Sequence, residues 1–342
     1  MQGSTADAIP AAEGRHRTVV LALKLLAGLV IIAAPVLIAS YWVPGVSEVA
    51  FFGVLAASFG WISGGVRVGA SVVGSLAVLG VVSILLHSHT WALALILILL
   101  GAGYGFAASR GMGKVVLQLP ILTPYFMRQP PALFNDPPVV DVAYILGVVV
   151  VMLAIGFWTL LVLHLAAGHR TPKRVEVRDP RVPVVYGTIL GVLSAVIMVI
   201  GTTTEIKTHW VWITLTLYVL ADPQQLYTPA KMWGRVLGTL AGFAVVSLIF
   251  LIGVPDSVLL YLAIPALWLC LVFMLLKRPY WQYAFLLTVA VVLMDTSDVS
   301  TLLLDAERIG FTIVGAGLSV VAALLVNFIG HGRAGLRSPE SA

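Results

Sequence analysis

The sequence predicts an all-α integral membrane protein made of two tandem six-helix repeats, about 12 transmembrane helices in all, related by a pseudo-two-fold axis along the membrane normal. Three observations predict it. The first is composition: of 342 residues, 60% are hydrophobic and 10% charged, and the mean hydropathy is +1.04. So apolar a chain needs lipid as its solvent. The second is a repeat at an offset of 164 residues, where Ser71 to Ser83 matches Arg235 to Ser247 at seven of thirteen positions. The same offset places Arg67 on Lys231, Lys114 on Arg278, Asp141 on Asp305 and Ile145 on Ile309. The third is charge placement. With both termini cytoplasmic, sixteen of the 20 basic residues fall inside and only Arg128 and Lys207 outside, as the positive-inside bias requires.

The apolar runs are continuous rather than alternating, so each hides its backbone hydrogen bonds as a helix and not as a barrel strand. After a cytoplasmic tail at 1–17, Arg15 and Arg17 precede the first span at 18–40, which is longer than a signal-peptide core and is read as retained. Spans follow at 48–62 and 66–86, separated by Gly60, Gly64 and Gly65, then at 91–109, 113–127 and 139–167. These make up the first repeat, 18–167. The stretch 168–182 is basic and punctuated by proline, a cytoplasmic linker. The second repeat, 183–330, holds spans at 183–201, 209–221, 231–253, 257–276, 280–294 and 304–329, and a cytoplasmic tail follows at 331–342. An even number of helices per unit gives both repeats the same orientation, in the inner membrane of the cell.

Four spans are short for a hydrocarbon core of about 30 Å. They are the second and eighth and the fifth and eleventh, which occupy matching positions in the two halves. Paired short segments point to a transport site, because the helix ends exposed there offer backbone groups to a substrate. Pro120 and Pro124 interrupt the fifth; Asp222, Pro223 and Pro229 follow the eighth.

Basic residues gather at these breaks. Arg67, Lys231 and Arg235 open the third and ninth spans, and Lys114 and Arg278 precede the fifth and eleventh. Together they are candidates for a positive vestibule facing the cytoplasm that concentrates small anions. Taken singly, each has a plainer reading as an interfacial anchor. Trp61, Trp210, Trp212, Tyr227, Trp233, Tyr280 and Trp281 sit at span ends, where aromatic rings anchor at headgroups, with Trp61 and Tyr227 also candidates for stacking on a ligand.

Ionisable groups inside spans are costly. Asp222, Glu307 and Arg308 are therefore proton-coupling candidates, beside structural roles for each, and Lys24 reads as a snorkelling side chain. Gly234, Gly238 and Gly242 form a stripe for close helix packing. The single cysteine, Cys270, excludes an intrachain disulfide and reads as a core residue. His87 and His89 lack a third ligand, and no nucleophile elbow, phosphate loop or zinc-protease helix is found, so neither an enzyme nor a cofactor is expected. The net charge of +5 is dispersed between apolar runs rather than gathered on a face for nucleic acid.

The run Val211 to Val246 resembles the second-repeat signature of the fusaric acid resistance (FUSC) and aromatic acid exporter superfamily: Trp210 or Trp212 and Thr214 on one helix, a break, then Arg235, Gly238, Thr239 and Gly242. The resemblance implies efflux of aromatic or other organic anions from the cytoplasm, with Thr214 and Arg235 among the substrate-binding residues. Exporters of this kind carry soluble regions and work with periplasmic adaptors. No segment here is large enough to be such a region, so an adaptor and a homo-oligomer both stay open as partners. A passive anion channel and a scaffold that transports nothing are the rival readings.

The topology predicts that a reporter fused within 168–182 stays in the cytoplasm. Alkaline phosphatase there should be inactive and green fluorescent protein bright, and the reverse pattern would refute the six-plus-six count.

Overall fold

A computed structural model describes residues 11–135, 138–169, 171, 174–177, 179–204, 210–222, 229–276, 278–294 and 301–334. These residues are helical, with no strand among them. The chain runs through α1 (Ala11–Trp42), α2 (Val46–Leu85), α3 (Thr90–Ser109), α4 (Gly113–Val116), α5 (Gln118–Arg128) and α6 (Val142–Ala167). It continues through α7 (Arg181–Thr203), α8 (Trp210–Leu220), α9 (Pro229–Leu251), α10 (Asp256–Leu275), α11 (Tyr280–Met294) and α12 (Thr301–Ala334). Among the described residues, 6 helices are long and apolar enough to cross a membrane, so this is a multi-pass membrane protein.

The expected second and third spans form one element, α2, which doubles back on itself. Gly64 is extended and Gly65 has φ 79°, a left-handed conformation that glycine adopts without steric cost. Beyond the turn the two legs run side by side, so that a Cβ on Gly60 would stand 2.7 Å from the Gly69 Cα. Only a hairpin brings residues nine apart in a helical stretch so close. The expected fifth span is also divided. It breaks after α4, and α5 runs for only 11 residues with Pro124 inside it.

Helix α8 likewise has 11 residues. At 1.5 Å per residue each is about 16 Å long, roughly half a hydrocarbon core, and the two pack against each other. Helix α11, at 15 residues, is also short.

Lipid gives helices no hydrophobic reason to associate, so close packing of small residues has to supply it. It does so at three places. Gly101 and Gly105 of α3 meet Gly187 and Gly191 of α7 backbone to backbone; a Cβ on Gly187 would lie 2.5 Å from Gly105 Cα. Gly53 of α2 approaches the Met152 carbonyl oxygen and the Gly156 nitrogen of α6, at 2.7 and 3.3 Å from its ideal Cβ. The stripe Gly234, Gly238 and Gly242 faces α11, where a Cβ on Gly238 would stand 2.5 Å from the Trp281 carbonyl.

The larger core takes residues from α2, α3, α5, α6, α7, α8 and α12, on both sides of the 168–182 connector. A smaller one joins α9, α10 and α11. Helix α1 lies against the outside of the bundle, where the Trp158 indole donates to the Ile31 carbonyl at 3.0 Å.

Loops expected on one side of the membrane do meet. At the expected outer end, Ala132 N donates to Glu48 Oε2 at 2.8 Å, Phe134 N to the Pro44 carbonyl at 3.0 Å, and the Tyr144 hydroxyl to the Pro131 carbonyl at 2.8 Å. There Asp141 caps α6, accepting from Tyr144 N at 2.7 Å. At the expected inner end, Ser63 Oγ donates to the Lys114 carbonyl at 3.1 Å, and Val175 N of the connector to the Gly111 carbonyl at 3.2 Å.

The aromatic residues need one correction. Trp61 and Trp210 are core residues, almost wholly buried, rather than rings at the headgroups. Trp61 sits just before the hairpin turn and joins the larger core, and Trp210 covers Gly201 of α7. Trp233 and Trp281 are exposed, as interfacial anchors would be.

The α3–α7 contact has no room for a side chain. Gly187→Leu should lower stability in detergent by about 3 kcal/mol, the upper end of overpacking costs, and thermal unfolding followed by tryptophan fluorescence would measure it. A replacement that melts like the parent would show that the two helices do not meet there.

Candidate functional site

Arg235 lies on the second turn of α9 and is 5% exposed. Its helix is held against α11 by the glycine stripe, which fixes how deep the guanidinium sits. The groups that face it are the phenols of Tyr280 and Tyr283 on α11 and the Cys270 thiol on α10. Two of its nitrogens, Nε and Nη1, are buried without a hydrogen-bond partner, and the Tyr280 hydroxyl, also buried, points toward the guanidinium without completing a bond. Among the described residues no carboxylate pairs with Arg235. A buried charge in this state is expensive for the fold. The natural partner for two free N–H donors in a fixed fork is a planar oxyanion such as a carboxylate.

Lys231 stands one turn before Arg235 on the same helical face. It is half-buried, its Nζ lies 6.0 Å from the centre of the Tyr280 ring, and it is within electrostatic reach of Asp222 and Lys114. The two phenol rings of Tyr280 and Tyr283 lie 5.8 Å apart and tilted. The site therefore has a half-buried cation, a fully buried one a turn further along α9, and phenol rings beside them. Cys270 is buried, its Sγ 3.8 Å from the Tyr283 carbonyl, in keeping with a packing role.

The structure brings Lys231 together with Asp222 and Lys114, and Arg235 follows it one turn along α9. Arg67 and Lys114 are both exposed near the inner end of the bundle, where Ser63 at the hairpin turn holds α4. Arg278 is exposed just after α10. These three stand on the surface, and of them Lys114 is within electrostatic reach of Lys231. Thr214 is fully buried with no partner for its hydroxyl, and Trp61 is in the core of the first half. Lys24 is on the exposed face of α1. Tyr227 lies outside the described residues, as do the side chains of Glu307 and Arg308.

Sequence reasoning missed Tyr104 and Tyr186, which face Asp222, and Tyr218, which packs on Tyr104. The Tyr186 hydroxyl is hydrogen-bonded to Ser319 and to the Asp222 backbone. The Tyr104 and Tyr218 rings meet edge to face at 5.9 Å. A tyrosine in the middle of an apolar span is itself a signal, since its hydroxyl needs a partner when buried. Among the described residues no group of three or more His, Cys, Asp or Glu could hold a metal ion.

Residues 195–322 match a family model described as fusaric acid resistance protein-like. Comparison with curated proteins and with solved structures gives no match. The matched segment covers α8 to α11 whole, the last part of α7 and most of α12, so that Asp222, Lys231, Arg235, Cys270, Tyr280 and Tyr283 all lie within it. The segment that builds the buried cation site is thus similar to fusaric acid resistance proteins.

Proposed function

We propose that the protein is an inner-membrane exporter of small organic anions, aromatic carboxylates in the first place. The observation that carries this reading is the buried Arg235 guanidinium, with two N–H donors unmatched by any described carboxylate and phenol rings beside it. A carboxylate bound there gains charge-assisted hydrogen bonds in a low-dielectric setting, while Tyr280 and Tyr283 contact its hydrophobic body. The family's description supports the same chemistry, because fusaric acid is an alkylated pyridine carboxylate. Lys231, Arg67, Lys114 and Arg278 draw the anion toward the entrance from the cytoplasm. No catalytic step is part of this function.

The neighbour pattern supports the two-fold layout. Shifting the contacts of the first half by one repeat maps α1 on α6 to α7 on α12, the α2 hairpin on α6 to α8 and α9 on α12, and α3 on α5 to α10 on α11. It also maps α3 on α7 to α10 on α1, a pairing that crosses between the halves in both directions. With the termini in the cytoplasm, an inside-negative potential favours outward movement of a monovalent anion by about 2.3 kcal/mol per 100 mV. Potential alone is then enough to drive export, and proton exchange through Asp222 or Glu307 is the alternative coupling. A passive channel on this scaffold would conduct without saturation.

Uptake of radiolabelled aromatic acids into inverted vesicles tests the reading. Saturable uptake that falls about 100-fold in apparent affinity in Arg235→Gln, the loss of about 3 kcal/mol expected for a buried charge partner, is the expected outcome. Wild-type vesicles that accumulate none of the acids, or Arg235→Gln vesicles that accumulate them like the parent, would overturn it. Gly238→Leu abolishing a phenotype that Arg235→Gln leaves intact would favour a scaffold.

A further inference from the structure

Helix α8 carries polar groups at every fourth position: the Trp210 indole N–H, the Thr214 hydroxyl, the Tyr218 hydroxyl and, just past its end, the Asp222 carboxylate. Trp210, Thr214 and Tyr218 are 1%, 0% and 0% exposed. The polar atom of each is buried; those of Trp210 and Thr214 lack a hydrogen-bond partner, and the Tyr218 hydroxyl points toward that of Ser194 without completing a bond. A single orphaned group of this kind costs roughly 1–3 kcal/mol. Three in a row on one short helix are not a packing accident.

The stripe faces α7, which runs antiparallel to it. Gly201 packs on Trp210, Ser194 lies by Tyr218, and Tyr186 reaches the Asp222 backbone. The seam is closed by Tyr104 of α3 and by Ser319 of α12. The charged and titratable groups that face Asp222 are Tyr104 from α3, Tyr186 from α7 and Lys231 from α9.

Four residues rise about 6 Å along a helix. Two hydrogen bonds of about 2.8 Å joined by one water molecule span nearly the same distance. Successive Cα atoms on the stripe are thus set apart by about the reach of one bridging water, and water is what buried orphaned polar groups take up. The stripe carries no cation and ends in a carboxylate, which would repel an organic anion. A proton needs only an unbroken file of hydrogen bonds.

We propose that Asp222, Tyr218, Thr214 and Trp210 line a proton-exchange path that runs along α8 through its seam with α7. The Asp222 carboxyl gives its proton to a water molecule. Each hydroxyl then accepts one proton on oxygen and releases the one it held, so that only O–H bonds break and form. The Trp210 N–H, a donor only, does not relay a proton but fixes the oxygen of the last water. The path starts at Asp222, which faces Lys231, but takes in none of the groups that face the Arg235 guanidinium.

The test uses the full chain reconstituted in phosphatidylethanolamine and phosphatidylglycerol vesicles, in sulfate salts without any organic anion. A potassium gradient with valinomycin sets the voltage, and an enclosed pH dye reads proton entry. Wild-type vesicles should acidify faster than protein-free ones. Thr214→Val and Tyr218→Phe, which remove a hydroxyl at nearly constant volume, should each slow this about tenfold. Thr159→Val removes a hydroxyl already bonded to the Ile155 carbonyl at 2.8 Å on α6 and should leave it unchanged. Wild-type vesicles no leakier than protein-free ones, or both seam variants at the wild-type rate, would overturn the proposal. If Tyr218→Phe fails to incorporate, Thr214→Val decides alone. Since no anion is present, failure of the Arg235 reading would leave this outcome as it stands.

Discussion

The backbone contact of α3 with α7 is the constraint on which the rest of the structure depends. In water, two apolar helices are driven together by the surface they hide; in lipid that drive is missing, and only dense packing remains. Gly101, Gly105, Gly187 and Gly191 supply it, four apart on each helix, so that the two backbones touch without side chains between them. Because α3 precedes the 168–182 connector and α7 follows it, this contact also fixes one half of the chain on the other. Tyr104 is carried on α3 to the Tyr218 ring, and α7 brings Ser194 and Tyr186 up to α8 and Asp222. A second glycine seam, α9 on α11, then sets the depth of Arg235 among Tyr280 and Tyr283. The polar groups occupy positions that close helix packing, rather than their own pairing, determines.

Much of this architecture was legible in the amino-acid order. Continuous apolar runs predicted helices, and the bounds of α3, α6, α7 and α11 lie within a few residues of the expected spans. Gly64 and Gly65 marked the hairpin, because a glycine pair between two apolar runs leaves the backbone free to reverse. The short α5 and α8 were foreseen from Pro120, Pro124, Asp222 and Pro223. What could not be read was which helices meet. The α3–α7 contact joins residues far apart in sequence, and a GxxxG spacing says only that some helix packs there. The spread of the larger core across both sides of the connector has the same cause, since a periodic apolar pattern shows that a face is covered but not by what.

At the candidate site, Arg235 stood out in the sequence as a lone cation ahead of a long apolar run, and it is the buried one. Arg67, Lys114 and Arg278 differ from it only in burial, which depends on the tertiary neighbours of their helix turns. Trp61 shows the opposite failure: a ring at a span end reads as a headgroup anchor, yet the hairpin turns it into the core. The Trp210, Thr214, Tyr218 and Asp222 stripe was visible as a four-residue period. Its meaning was not, because a hydroxyl in a span is satisfied in most helices by its own backbone, as Thr159 and Ser194 are here. Only coordinates reveal which hydroxyls are left over.

The α2 hairpin constrains how the chain is made. Its two legs are joined at Gly64 and Gly65 with nothing to spare between them, and Gly60 and Gly69 are already in contact just beyond the turn. A turn this short leaves the second leg no place but alongside the first, so the two can settle in the bilayer only as a pair.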